Sequence, residues 1–388
     1  MSLLDDVSIV VTPNGYKAGE LYAVVPSDGA ADMDVTRATD ATRVDEDGLI
    51  ADVLANVPRI DYSGGGCPHI LAEPQRTNLL TYSEDFSNSI YIKDSTVSVG
   101  TTNNVSPSGE SNATKIDVTA SGRIYSNVAT DTYVSSLFIK AGTFAYFKLA
   151  GVQVDLVAET NANGTIESLG NDWFKVGVNY TGNRPFQIQA YPNSSYATHT
   201  TTGDYFIWGS QIEEGSYATS YIPTSGSTVT RNQDQFTRDG IGSLINSTEG
   251  VLFLEVAALS DDGTNRYFSV SDGTTSNYIY FRFVSTSNTV LMRTAVEGNT
   301  INTLQKEIAD TTAFNKYAFK WKSGDYAFWI NGIEVLTDSS STVFGSNVLN
   351  QIEFSFPSLG GGGSNSKVKQ LQVYKTALTD AQLTSLTE

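Results

Sequence analysis

The chain has one cysteine, Cys67, two histidines and only 24 lysines and arginines among 388 residues. Each scarcity excludes something. A single cysteine permits no intrachain disulfide, so stability has to come from packing. His69 and His199 lie far apart in sequence, without metal-ligand spacing and outside any nucleophile-elbow context. That sets aside a zinc centre and a Ser–His–Asp triad. No apolar run approaches the roughly 18 residues a membrane-spanning helix needs. The start, MSLLDDVSIVV, lacks the basic segment and longer apolar run of a secretion signal, so synthesis in the cytoplasm without membrane insertion is expected. The formal net charge of −18 leaves no basic surplus to replace the counterions of nucleic acid or to hold an anionic membrane surface.

What is present points to β-structure. Apolar residues make up 40% and aromatics 11%, enough for packed cores, while only 17% of residues are charged. The polar surface must therefore be built of Ser, Thr, Asn and Gly, which suits turns and hydroxyl-rich strands. The expected fold is mainly β: an N-terminal extended anchoring arm (1–72), two β-sandwich jelly rolls (73–232 and 233–388) and a short C-terminal helix. The arm holds twelve acidic side chains against four basic ones, and its short alternating pieces are broken by Pro13, Pro26, Gly29, Gly48 and Pro58. Arg37, Arg43 and Arg59 are expected to pin its loops through carbonyls and carboxylates.

In the first sandwich, strands are expected over 132–142, 144–158, 173–181, 186–191 and 205–215, spaced by Gly, Asn and Asp turns. In WFKVGV, Phe174, Val176 and Val178 share one face and Lys175 the other, and Trp208 belongs to the core. Residues 221–234, YIPTSGSTVTRNQD, read as a linker open to proteolysis. The second sandwich contains strands over 250–259, 265–272, 277–285 and 289–296. Within 316–338, Tyr317, Phe319 and Trp321 alternate with Ala318, Lys320 and Lys322, and Asn331–Gly332 is a tight turn, which together predict a three-stranded meander. In the tail, Thr379 and Gln382 form a capping box flanked by Leu378 and Leu383. That helix is too short to stand alone and has to pack on the second sandwich.

Three stretches, TRATDATRVDEDGLIADVLANVPRIDYSGG, ILAEPQRTNLLTYSEDFSN and WGSQIEEGSYATSYIPTSGSTVTRNQD, together resemble a group of tailed-bacteriophage virion and tail-fibre-like structural proteins. The end of the chain, VKQLQVYKTALTDAQLTSLT, resembles their concanavalin-A-like or laminin-G-like jelly rolls. The resemblance implies a carbohydrate-binding-module-like first sandwich, a virion location, attachment to other virion proteins through the arm, and assembly as a homotrimer. Relatives place a Trp after DFSN where this chain has SIYIK, so Tyr91 is expected in that role. Pro74 and Gly64–Gly66 break the chain between arm and sandwich, Leu79 and Leu80 enter the core, and Arg76 locks the turn.

Candidate chemistry is sparse. Glycoside hydrolysis needs a carboxylate pair, and Glu213, Glu214, Glu255 and Glu353 lie singly on strands or their ends, without the clustering of a jelly-roll glucanase. The Gly360–Gly363 run is followed by no lysine and no helix, so it is no phosphate loop. Sugar binding without hydrolysis needs an exposed ring and nearby polar groups, for which Tyr191, Tyr196, Tyr278 and Tyr326 lie near turns. Calcium is conceivable at SDDGTN (260–265) or SDG (271–273), although Asp and Gly are also ordinary turn residues. No catalytic residue, metal ligand or cofactor is assigned. The leading expectation is a virion surface protein adhering to a host glycan. The alternatives are a purely architectural capsid or tail decoration and a polysaccharide depolymerase.

Overall fold

The computed structural model describes residues 6–101, 103–128, 132–181, 186–356 and 363–388. Gly360–Gly362 of the expected glycine turn lie outside them, as do the first five residues. The architecture is mainly antiparallel β, with a C-terminal helix over Asp380–Thr387.

Residues 76–231 build the first sandwich from two six-stranded sheets. One sheet runs Val97–Val99, Thr114–Val118, Gly203–Glu214, Thr132–Ala141, Trp173–Thr181, Gly164–Ser168. The other runs Thr160–Asn161, Val152–Asp155, Tyr146–Leu149, Gln187–Tyr191, Arg123–Tyr125, Ile92–Lys93. Period-two alternation sends Phe147, Leu149, Ile188 and Ala190 inward to meet Leu137, Ile139, Val176, Val178 and Ile207 from the facing sheet. Leu80 is fully buried in this core, with Leu79 packed against it. Trp208 is also buried, but on the opposite side of its sheet, with Phe138, Trp173 and Tyr221. Tyr91 is 2% exposed and donates its hydroxyl to the Tyr82 carbonyl. It is a core residue and cannot be the stacking platform expected of it, because both ring and hydroxyl are committed inside.

The second sandwich is one sixteen-stranded sheet that curls on itself. Its two end strands, Asn299–Glu307 and Ile333–Asp338, lie against each other. The core fills the space between. Phe268, Val270, Ile279, Phe281 and Met292 come from one half, and Leu252, Leu254, Tyr317, Phe319, Trp321 and Phe328 from the other. The meander forms as its alternation predicts, with Asn331 and Gly332 at φ 47° and 82°. The helix carries the Thr379–Gln382 capping box and packs Leu378 and Leu383 onto Phe253 and Trp329.

Residues 1–72 are expected as a separate arm, but most of the arm's described strands join this second sheet, while Ala41–Val44 and Ile50–Val53 pair only with each other. Val7–Lys17 pairs with Ser366–Tyr374, Ile9 opposite Val373, and Glu20–Val25 and Met33–Thr36 follow it in order. Met33–Thr36 then pairs with Gln235–Arg238. Ile9, Val11, Leu21, Met33 and Val35 are all buried in the shared core. These pieces are too short to make a sandwich alone, but with Ile60–Asp61 and His69–Ala72 they complete one whose remaining strands begin at Gln235. The first sandwich is thus an insertion between two parts of the second.

The insertion closes on a buried ion cluster. Glu73 immediately precedes the first sandwich and Asp234 follows it, and their backbones are hydrogen-bonded. Arg59 contacts both carboxylates, Arg37 pairs with Asp234 at 2.8 Å and Arg231 with Glu73 at 2.9 Å. All five side chains are buried. Arg37 also donates to the carbonyls of Thr39, Val57 and Leu54, as expected for an arginine that pins loops. The 221–234 segment is consequently anchored at both ends, with only Pro223 and residues 225–230 exposed. Tyr221, Ile222, Arg231 and Asp234 are buried, and Ile222 N and Thr224 N donate to Gln211 and Ser83. Its Pro, Gly and Ser content marks a loop, yet side chains satisfy its backbone in place of water.

Removing one member of a buried charge cluster strands the others. Asp234→Ala leaves Arg37 and Arg59 without a shared carboxylate, and a loss of about 3–5 kcal/mol is expected. Urea unfolding of the variant beside the parent chain measures it. A loss below about 1 kcal/mol would contradict the central role of this cluster.

Candidate functional site

The two sheets of the first sandwich differ on their outer faces. The sheet containing Thr132–Ala141 has its outer face covered by Ala113, Phe138, Trp173, Trp208 and Tyr221, with Ile50 from the N-terminal segment packed on it. The outer face of the other sheet is open. Cross-strand register sets its side chains in rows. Tyr191, Tyr146 and Asp155 form one row, and Arg123, Gln189, Lys148 and Gln153 the next. Gln187 and Tyr125 continue the array. The same alternation that buries Phe147 and Ile188 turns these residues outward.

Above the first row, the Asn193–Tyr196 turn brings down a third ring. Asn193 accepts from the backbone and hydroxyl of Ser195. Tyr196 takes φ 50°, a costly conformation for a bulky residue. Its ring lies 5.4 Å from that of Tyr191 and 6.2 Å from that of Tyr146, both edge-on. The Lys148 ammonium lies 5.1 Å from the Tyr191 ring and 5.8 Å from that of Tyr196, and makes no ion pair among the described residues. Burial raises the Tyr191 phenol, and burial with Asp155 and Tyr146 raises that of Tyr196, so both stay protonated donors.

The side-chain amides of Gln153, Gln187 and Gln189 make no hydrogen bond among the described residues; Gln153 is exposed, and Gln187 and Gln189 are half-buried. Each offers two donors and an acceptor to an incoming ligand. Asp155 is less available, since it caps the turn at Val157 and Ala158. The face therefore combines aromatic edges, unengaged amides and two cations, Lys148 without an ion pair among the described residues and Arg123 paired with Asp94, a set suited to hydroxyl-rich ligands.

Of the four tyrosines singled out by sequence, Tyr191 and Tyr196 meet here. Tyr278 lies on the second sandwich, 8% exposed. Tyr326 is fully buried and donates its hydroxyl to the Thr342 carbonyl, so it is a core residue and no ligand contact. The glutamines were missed, although FQIQAY shows them: amides two apart on a strand that ends in tyrosine.

The carboxylates considered for hydrolysis remain scattered. Glu213 is buried and accepts from Thr219. Glu353 accepts from Gln351 and Ser355, and Glu255 lies beside Lys369. In the loops considered for calcium, Asp262 is held by Arg266, Ser216 and Thr264 N, while Asp272 caps Thr274 and Asn277. Among the described residues no three His, Cys, Asp or Glu side chains stand close enough to share a metal ion. No helix among them is long and apolar enough to cross a membrane.

The sequence matches no protein-family model and no curated protein. Solved structures with similar folds include the CBM40 of Ruminococcus gnavus IT-sialidase bound to α2,3-sialyllactose, at 19% identity over 36% of this chain and 83% of that one, TM-score 0.32. A leech intramolecular trans-sialidase is 16% identical over 36% of this chain and 23% of that one, TM-score 0.30. The botulinum neurotoxin serotype D binding domain is 8% identical over 39% of each chain, TM-score 0.32.

The remaining histidine of interest, His69, is 1% exposed, 3.4 Å from Asp61. Burial disfavours its imidazolium more than Asp61 favours it, which lowers its pKa from 6.5 to about 4. The unfolded chain takes up this proton near pH 6.5, whereas the folded chain resists until about 4. The stability His69 contributes is therefore present above pH 6.5 and is lost as pH falls through that window. His69→Gln is expected to flatten the fall in urea midpoint between pH 7 and 4. An unchanged slope would refute this assignment.

Proposed function

We propose that the protein is a non-catalytic adhesion protein of a bacteriophage virion, which binds a host-surface glycan through the outer face of the Tyr146–Leu149 and Gln187–Tyr191 strands. The observation that carries this reading is the set of unengaged amides, Gln189 and Gln153 in one row and Gln187 in the next, beside the rings of Tyr146 and Tyr196, with Tyr191 buried beneath them at 4% exposure. Sugars present alternating hydroxyls and apolar C–H faces, and this array offers a partner for each. The scattered carboxylates support binding without turnover. The bacteriophage assignment and the homotrimer rest on the resemblance of the three junction motifs. Attachment to other virion proteins falls to exposed parts of residues 1–72, since the strands of that segment are engaged in the second sandwich.

A shallow polar face gains little per contact, because desolvation offsets most of each new hydrogen bond. Single-site affinity near millimolar, about −4 kcal/mol, is expected. Many copies on one particle raise avidity by roughly 10²–10⁴. The full chain displayed on beads should bind a panel of bacterial surface polysaccharides. Gln189→Ala combined with Tyr196→Ala should lower retention at least tenfold at an unchanged melting temperature. Sedimentation tests the trimer separately. Undiminished retention by the double variant, or retention by neither protein, overturns the assignment of this face.

A further inference from the structure

The second sandwich carries another unassigned face, on the outside of the strands Arg266–Ser271, Tyr278–Phe283 and Thr289–Val296. Register sets Ser269, Tyr280 and Arg293 in one row, Tyr267, Arg282 and Leu291 in the next, and Ser271, Tyr278 and Ala295 in a third. Tyr278 and Tyr280 stack at 5.2 Å with planes 9° apart, and Phe356 closes edge-on against both. The Arg282 and Arg293 guanidiniums stand 5.9 and 5.8 Å from the Tyr280 ring centre.

These two arginines lack a carboxylate partner among the described residues. Arg282 meets only the Tyr267 hydroxyl, at 3.4 Å, and its buried Nε has no hydrogen-bond partner. Arg293 donates to the Thr303 hydroxyl. Glu353 shares the face across Ser269, but its oxygens are taken by Gln351 and Ser355. In a chain with 42 acidic residues against 24 basic ones, two half-buried like charges flanking one ring without a carboxylate form a local cationic patch that an anion would neutralise. Arg231, Arg59 and Arg37, by contrast, are each paired with a carboxylate.

We infer that this face is a second binding site, for the carboxylate of an acidic saccharide such as a uronic or sialic acid residue. The planar guanidinium forks match a carboxylate; Tyr267, Tyr278 and Tyr280 are themselves buried and serve as the base on which the two half-buried arginines are held at the surface. The site is independent of the amide face on the first sandwich and takes a different chemistry. The net charge of −18 opposes long-range attraction of polyanions, and a sulfated polymer separates what local attraction remains from recognition of a carboxylate.

The test uses the full chain on beads against surfaces bearing polygalacturonate, hyaluronate or polysialic acid, the methyl esters of the same polymers, and dextran sulfate. Retention on at least one carboxylated polymer is expected, and its loss on esterification, which alters the ligand and leaves the protein untouched. Arg282→Gln with Arg293→Gln should weaken retention at least tenfold, and Arg293→Gln alone, at a half-buried position, should weaken it measurably. The Gln189→Ala, Tyr196→Ala variant should bind acidic polymers like the parent, so failure of one site does not implicate the other. Retention on none of the three acids, equal retention on their esters, or equal retention on dextran sulfate overturns the inference.

Discussion

Arg59 reaches across the point where the chain leaves one sandwich and comes back to it. Its guanidinium holds Glu73 on the outgoing strand and Asp234 on the returning one, and its Nη1 also contacts Ser220 from the inserted sandwich. Burial of Glu73 opposes its ionisation, yet Arg231, Arg59 and Ser220 hold its carboxyl well below the usual carboxylate range. A charge cluster of this kind contributes less to net stability than its Coulomb terms suggest, because desolvation offsets most of the attraction. Its value lies in what it forbids. With Arg37 and Arg231 joined to the same carboxylates, neither end of the insertion can shift without exposing an unpaired buried charge. The inserted sandwich is thereby fixed to the other at its two chain crossings.

That constraint explains where sequence reading succeeds and where it stops. The meander at 316–338 and the capping box at Thr379 are legible because every partner lies within a few residues, and the set Phe174, Val176 and Val178 because period-two alternation shows within the strand itself, although its partners lie near 135–139. The strand Val7–Lys17 is not. Its apolar alternation is short, and the edge it completes, Ser366–Tyr374, lies at the other end of the chain. Pairings with such separation leave no local signal. The same holds for the ion cluster: arginine as a loop pin is readable from Arg37 and Arg59, but the identity of the pinned carboxylate 234 is not. Loop composition at 221–234 was read correctly as non-strand at its centre, but its burial depends on contacts with Gln211 and Ser83.

The binding residues divide in the same way. Tyrosines near turns can be picked from sequence, yet proximity to a turn does not separate Tyr196, held over a sheet face, from Tyr326, sealed in the core. The distinction is set by which face of the strand the ring occupies and what covers that face. Gln187 and Gln189 were the better signal. An amide at alternate positions of a strand must face away from the apolar core, and a row of them is unnecessary for solubility when Ser and Thr abound.

The two proposed faces would take ligands of different charge state, and the fold determines how they could be used. One lies on the inserted sandwich and the other on the sheet that receives it, with the Arg59 cluster between the two chain crossings. Linked sites gain avidity only when their separation is held within the span of the ligand; a loose tether dilutes the second site. A rigid crossing keeps both faces in constant relation, so one polymer strand carrying neutral and acidic sugars meets the same geometry on every copy. Loosening the cluster without unfolding either sandwich would leave each site intact and weaken only the binding that needs both.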